Sequence, residues 1–309
     1  MRLVKIGTRR SQLALWQAEF VRDALLKHHD NIEVELVGIT SQGDKTLDIP
    51  LSQVGGKGLF LKELEEAILD RSVDIAVHSM KDVTVNLPQG LHIPVICVRE
   101  DPRDAFVSNR YSSITEMEAQ SVVGTCSLRR QAAIRHYFPQ LEARNLRGNV
   151  NTRLARLDAG DYDGLILAAA GLKRLEMFDR ICQELTVDLF LPAVGQGAVG
   201  IECRVDDPEI HDLIAPLHHM ETAYCVLAER SLNASLDGGC HVPVAAYAQI
   251  IDDKLSMKAR VGDPDGSCMF ESAGSSSLDE GEDLGASLAD QLLSQGAGKI
   301  LQQVYAKTE

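Results

Sequence analysis

Apolar positions along this chain recur with two periods, and each change of period marks an element. "LVKIGT" near the N-terminus reads as a strand, and Ser11 is a good N-cap for a helix whose Leu15, Trp16, Phe20, Leu25 and Leu26 recur at helical spacing. "IEVELVGI" alternates as a strand does. A glycine-rich loop, "SQVGGKG", leads into the helix "LFLKELEEAILDR", and "VDIAVH" gives another buried strand. Strands alternating with helices predict parallel pairing in an open α/β sheet.

"REDPRDAFVS" then carries the breaker Pro102 and reads as a crossing between lobes. The alternation resumes beyond it with "SVVG", a helix from about Ser127 to His136, the helix "VNTRLARLDAG", the strand "DGLILAAA" and the helix "LKRLEMF", which together predict a second α/β lobe. "LPAVGQGAVGIECR" returns to strand-like sequence and passes back toward the first lobe. The character then changes. A helix, "ETAYCVLAERSLNASLDGG", is expected to stop at Gly238 and Gly239. The alternating strands "VAAYAQII" and "KLSMKARVG" are joined at Asp252-Asp253, and the turn "DPDG" leads toward a last helix, "LGASLADQLLSQ". The expected fold class is α/β and α+β, with residues 1–98 and 199–216 as a discontinuous first domain, 103–192 as the second and 220–309 as a small α+β third.

At 309 residues the chain exceeds one ordinary hydrophobic core, which agrees with several domains. A hydrophobic share of 45% with 25% charged residues is that of a globular protein. The longest strongly apolar run, Leu165 to Leu172, falls far short of the ~20 residues that span a bilayer, so no membrane partner is expected. Arg9 and Arg10 imitate a twin-arginine export signal, but Glu19, Arg22 and Asp23 interrupt the segment that follows; the N-terminus reads as mature sequence and the location as cytoplasmic. Seven cysteines are scattered without a C-x-x-C pair, which argues for reduced thiols, and neither they nor the dispersed histidines show metal-ligand spacing, so no metal is expected.

Net charge is −14, which argues against general nucleic-acid binding. Its distribution changes the picture further. Between Cys126 and Arg156 the chain carries seven arginines (Arg129, Arg130, Arg135, Arg144, Arg147, Arg153, Arg156), no lysine and one acid, Glu142. Guanidinium forks grip carboxylate or phosphate bidentately, so this patch suggests repeated oxyanion recognition rather than a solvated helical face. From Asp263 onward the balance reverses to nine acids against Lys299 and Lys307.

Two motifs imitate nucleotide sites. "GQGAVG", Gly195 to Gly200, matches G-x-G-x-x-G, but no helix opens from it. "VGGKG" lacks the Ser or Thr that would follow Lys57 in a phosphate loop, which leaves Lys57 on a basic substrate loop. "HSMKD" ends a strand, where ligands bind in open α/β sheets; it is either an ordinary polar loop or a site in which Ser79, Lys81 and Asp82 hold a substrate's carboxylate and its positive centre separately. "GTCSLRRQ" sets Thr125 and Ser127 at a strand-to-helix turn that favours an anion, with Arg129 and Arg130 next; "LRGNVNTR" adds Arg147 and Arg153, and Arg174 lies beyond the strand "DGLILAAA". In "LDGGCHVPV", Cys240 follows two glycines on a loop where a thiolate can act as nucleophile or carry a covalent group.

With these residues in view, the chain resembles the porphobilinogen deaminase family over nearly its whole length. The motifs that carry the resemblance are "TRRSQLALWQA", "VGGKGLF", "AVHSMKD", "REDPRDAFVS", "GTCSLRRQ", "LRGNVNTRL", "AAAGLKRL", "LPAVGQGAVGIECR" and "LDGGCHVP". The resemblance implies two lobes like the type II periplasmic binding proteins plus a small α+β domain, and a transferase that condenses four porphobilinogen molecules head to tail. It implies that Cys240 carries a dipyrromethane cofactor through a thioether, that Asp82 is the catalytic carboxylate, and that Arg9, Ser11, Lys81, Arg129, Arg130, Arg147, Arg153 and Arg174 bind cofactor and substrate, in a protein that acts as a monomer. Gln12, Gln53, Thr84 and Cys126 depart from residues common in such motifs. Two rivals remain at this stage. One is a two-lobed binding protein for a small dicarboxylate; the other is a thiol-dependent transferase without a cofactor.

Overall fold

A computed structural model describes residues 1–41, 61–239 and 242–306. Cys240, Lys57 and Gln53 lie outside the described residues. Three sheets organise the rest. The first contains β1 (Arg2–Arg9), β2 (Ile32–Ile39), β3 (Ile75–Ser79) and β4 (Leu91–Ile96). The second contains β5 (Asp104–Val107), β6 (Val122–Gly124), β7 (Glu142–Arg144), β8 (Gly164–Ala168) and β9 (Gln183–Glu184). A later strand, β10 (Val199–Arg204), then inserts between β3 and β4, which gives the orders β2-β1-β3-β10-β4 and β7-β6-β8-β5-β9.

The two orders are the same pattern. In each sheet the first three strands are parallel, and the one antiparallel insertion, β10 or β5, is the strand that has just crossed from the other lobe. Crossovers through helices force the parallel part. In the first lobe these are α1 (Gln12–His28), which buries Ala18, Val21 and Leu25 against the sheet, and α2 (Lys62–Leu69). In the second they are α3 (Leu128–Tyr137), α4 (Val150–Asp158) and α5 (Ala169–Arg174). Strand β10 is buried at all six positions, so "IECR" is a covered central strand and not the half-exposed alternation its letters suggest. Its two charges are paired, Glu202 with His78 and Arg204 with Asp207 and Asp74.

Past α6 (Pro208–Ile214), α7 (Met220–Ser235) enters the third unit. There β11 (Val244–Ile251), β12 (Lys254–Gly262) and β13 (Met269–Ser276) form an antiparallel sheet, and α7 packs with α8 (Gly281–Gln295) and α9 (Ala297–Ala306) around Leu232, Val261, Leu288 and Leu292. Asp252 and Asp253 both take left-handed φ, 49° and 58°, the geometry of a two-residue hairpin turn.

Several local expectations need correction. Helix α7 ends at Ser235, and the left-handed residue after it is Asp237 (φ 49°) rather than a glycine; Gly238 donates its N–H to the Asn233 carbonyl at 2.7 Å. Helix α5 begins at Ala169 and is over by Arg174, three residues ahead of "LKRLEMF" at its start. Strand β4 escapes the pattern because Pro94 interrupts it; β4 is an edge strand with a register shift against β10, where a missing N–H is tolerated. Strand β13 escapes because the face it turns inward carries Ser272, Gly274 and Ser276 beside Phe270 rather than an apolar run, and helix α9 because it restarts just after Gly296 (φ 114°).

The third unit grips both crossings through one carboxylate. Glu229 of α7 is buried, pairs with Arg99 at 2.6 Å, and accepts the backbone N–H of Gly195 at 2.7 Å and of Ala248 at 2.9 Å. Arg99 in turn donates to the Gln196 carbonyl at 2.8 Å. One ion pair thus joins residues on either crossing to the third sheet. No helix among the described residues is long and apolar enough to cross a membrane.

Candidate functional site

The site forms where the central strands of the two lobes end. In the first lobe β1 ends at Arg9 and passes to α1 through Ser11, whose hydroxyl accepts the Ala14 N–H at 3.3 Å. Strand β3 ends at Ser79, and one 3-10 turn, Met80–Asp82, presents Lys81 and Asp82. Gln17 of α1 donates to the Ser79 hydroxyl at 2.8 Å, which fixes the helix to this loop.

Support comes from below. Met80 is buried and donates its N–H to the Ala198 carbonyl at 3.0 Å. A Cβ on Gly200 would stand 2.2 Å from the Met80 sulfur. A Cβ on Gly197 (φ +90°) would stand 2.4 Å from the Glu100 carbonyl oxygen on the other crossing. The G-x-G-x-x-G spacing is therefore a packing device that seats the Lys81–Asp82 turn and lets the crossings touch. Behind β3, His78 Nε2 lies 2.8 Å from Glu202 Oε2, both buried. Burial, and then the charge of Glu202, pushes the nearby Glu65 carboxyl up to about 7.

In the second lobe Thr125 and Ser127 form the strand-to-helix turn as their sequence predicts. The turn is partly self-satisfied, since Thr125 Oγ1 accepts the Ser127 N–H at 3.2 Å. Arg129 and Arg130 are buried and converge on Asp104, Arg129 Nη1 at 2.8 Å from Oδ2 and Arg130 Nη2 at 2.8 Å from Oδ1. Gln196 donates to the same carboxylate at 2.9 Å. Burial would raise the Asp104 carboxyl, but the two guanidiniums hold it well below the ordinary range.

The arginine patch is accordingly less uniform than its composition implies. Arg144 pairs with Glu142 at 2.9 Å, Arg156 with Asp161, and Arg135 donates to the carbonyls of Ala143 at 3.1 Å and of Pro264 in the third unit. Arg174 donates to the Gly197 carbonyl at 2.7 Å and lies 5.4 Å over the Trp16 ring, so it braces the crossing against α1. Arg147 and Arg153 differ. Arg153 donates to the Gly148 carbonyl at 2.8 Å and lies 3.8 Å from Cys126 Sγ. Arg147 buries Nη1 with no hydrogen-bond partner among the described residues.

The two lobes meet electrostatically here. Burial lowers the Lys81 ammonium from its usual value, Arg130 and Arg153 add to the fall, and Asp82 and Asp104 oppose it. Burial also lowers Arg153, with Cys126 and Asp82 opposing and Arg130 and Arg147 adding. Lys81 and Asp82 of one lobe thus act on Arg153 of the other, and Arg147 adds its charge to Arg153 from the same side. At the rim Asn151 donates to the Gln12 side chain across the lobes at 2.5 Å. Such a cleft can hold a polyanion by its acid groups while one fixed carboxylate offsets positive charge on it. Sequence reasoning missed Asp104, Gln196 and Glu229. Only the excess of seven arginines over one local acid hinted that a partner for some of them comes from elsewhere in the chain.

A family model described as porphobilinogen deaminase, dipyromethane cofactor binding domain, matches residues 4–212, and one described as porphobilinogen deaminase, C-terminal domain, matches residues 223–294. Among solved structures, the periplasmic aliphatic sulphonate binding protein SsuA from Escherichia coli is 12% identical, with 77% of this chain and 71% of that chain covered and a TM-score of 0.41. YhfZ from Shigella flexneri is 18% identical, with 76% and 97% covered and a TM-score of 0.37. An ABC transporter periplasmic substrate-binding protein from Coxiella burnetii is 12% identical, with 70% and 92% covered and a TM-score of 0.45.

Proposed function

The chain belongs to the porphobilinogen deaminase family, and from that premise we propose how its residues divide the work. The activity is that of a hydroxymethylbilane synthase, a transferase that joins four porphobilinogen molecules head to tail with loss of ammonia at each step and frees the linear product by hydrolysis. Its cofactor is dipyrromethane. When bound, the cofactor supplies the pyrrole end on which the chain is started. The loop "LDGGCHVP" offers Cys240 as its thioether anchor.

The residues present fit such a group. Pyrroles bearing acetate and propionate arms are polyanions, and the orphaned, buried Nη1 of Arg147 is a donor that lacks only an anionic acceptor. Arg147 and Arg153 hold those arms, with Lys81 and Ser11 completing the ring of donors from the first lobe. Arg129 and Arg130 contribute positive field; their Nη groups are already committed to Asp104 and to the carbonyls of Leu191 and Ile166. Arg174 acts by holding the crossing in place.

Asp82 is the catalytic carboxylate. As the C–N bond of the aminomethyl group breaks, the electron pair leaves with nitrogen and positive charge spreads over the pyrrole; an anion fixed beside the ring N–H lowers the energy of that state. The observation that carries this assignment is the placement of Asp82 on the turn after β3, within the field of Arg153 from the second lobe. The arginines bind acid arms and cannot stabilise the cation; Asp82 can.

Intact mass of the purified protein under denaturing, reducing conditions tests the reading. A mass above the amino-acid sum by one dipyrromethane, lost together with activity in Cys240→Ala, is the expected result. An unmodified chain that still consumes porphobilinogen overturns it.

A further inference from the structure

Histidines and cysteines that the sequence scatters are gathered by the fold at one place outside the cleft. His92 lies on β4 and Cys203 on β10, and the two are direct cross-strand partners. His211 reaches them from α6. One ligand atom from each of the three lies within 4.8 Å of the others. We propose that His92, Cys203 and His211 form a binding site for one zinc(II) ion, with water in the fourth position.

The donor set suits the ion. Two imidazoles and one thiolate are the borderline and soft ligands zinc takes, and three protein ligands with an open fourth position is one of its recurrent arrangements. The scaffold holds the donors from independent directions. The register shift between β10 and β4 at Pro94 brings His92 opposite Cys203. Helix α6 is fixed at its start by Pro208 and by the Asp207 side chain, which accepts the Ile210 N–H at 3.3 Å and pairs with Arg204 at 2.6 Å. Cys203 is fully buried while His92 and His211 are half-buried, so the outer side of the cluster is the path of entry.

The present contacts show what binding changes. His92 Nε2 and His211 Nε2 are 2.9 Å apart, and His211 Nε2 is 2.8 Å from the Arg204 carbonyl. The carbonyl makes His211 Nε2 the proton-bearing atom and His92 Nε2 an acceptor. Zinc bonds of ~2.0–2.1 Å to nitrogen and ~2.3 Å to sulfur set donors roughly 3.3–3.6 Å apart in a tetrahedron, so the imidazole pair opens by a few tenths of an ångström as the sulfur closes in. The His211 proton moves to Nδ1, and the Cys203 thiol releases its proton to solvent as the Zn–S bond forms. No electron is transferred. The cluster lies toward the end of β10 opposite the cleft, because Val199 pairs with Ser79 whereas Cys203 pairs with Ile75. The ion therefore lies away from the cleft and does not touch the reaction.

The test uses holoenzyme freed of metal with a chelator and titrated with zinc, and with cobalt(II) as a coloured substitute. One equivalent is expected to bind, cobalt giving a thiolate-to-metal charge-transfer band in the near ultraviolet. His211→Gln and Cys203→Ala each lose at least tenfold in affinity and lose the band. Cys182→Ser, at an exposed thiol remote from the cluster, keeps both. Zinc raises the Tm of the wild type but not of His211→Gln, while ammonia release is the same in the two. Failure to bind one equivalent, equal affinity in His211→Gln, or loss of the band in Cys182→Ser overturns the site.

Discussion

In the proposed division of work Asp82 and Arg147 carry opposite charges, and their tasks separate kinetically. Asp82→Asn keeps the shape and loses the charge that offsets the forming cation, so kcat is expected to fall about 10²–10³-fold with porphobilinogen binding retained. Arg147→Leu instead removes a donor for acid arms, so KM rises with a smaller change in kcat. Steady-state ammonia release separates the two, and a shared kcat defect contradicts the division. Glu65 gives a pH signature unrelated to the chemistry. Its folded-state carboxyl titrates at about 7 against 4.5 for the ordinary group, raised by burial and Glu202. The stability it contributes is fully present below about pH 4.5 and is lost as pH rises through about 7. Thermal unfolding of Glu65→Gln between these limits should show a flatter pH dependence than the wild type; an unchanged slope means that the group is not responsible.

At the scale of elements, the segments most readable from sequence are those whose burial follows their own period. The strand Arg2–Arg9 and the β11–β12 hairpin are of this kind; helix α1 was legible from its Ser11 cap, but the face it buries is Gln17, Ala18, Val21 and Leu25, and Phe20 and Leu26 of the expected stripe are exposed. Strand β10 was legible as a strand but not as one buried on both faces, since its environment is made by β3 and β4 from far earlier in the chain. The glycines before and within it were legible as a motif and misleading as one. Gly200→Ala forces a Cβ onto the Met80 sulfur, so a loss of roughly 1–3 kcal/mol is expected from overpacking. The Lys81–Asp82 turn shifts with Met80, and a displacement of about 1 Å can cost on the order of 10²-fold in rate. Chemical denaturation and kcat should fall together; wild-type turnover in a destabilised variant would separate the glycine from the site.

Over the whole molecule, the two lobes and the third unit are joined at Glu229. Glu229→Gln leaves Arg99 buried without its counter-charge, a change that typically costs about 3–5 kcal/mol. Because Glu229 also accepts the Gly195 and Ala248 N–H groups, its loss should lower the Tm and loosen the crossings, raising amide exchange near 97–103 and 193–198 more than in the sheet interiors. Uniform exchange across the chain would count against this role. The sequence by itself determined the α/β and α+β class and the acidic whole with its local arginine excess, because strand and helix periods, caps and charge runs are properties of neighbouring residues. Tertiary structure alone decided which arginines are taken up by the protein's own acids. Asp104, distant in sequence, takes up Arg129 and Arg130, while Arg147 buries Nη1 without a partner among the described residues. It also decided that His92, Cys203 and His211 meet. Pairing between charges or ligands far apart in the chain depends on strand order and register, and these are set by how separate segments bury their faces together.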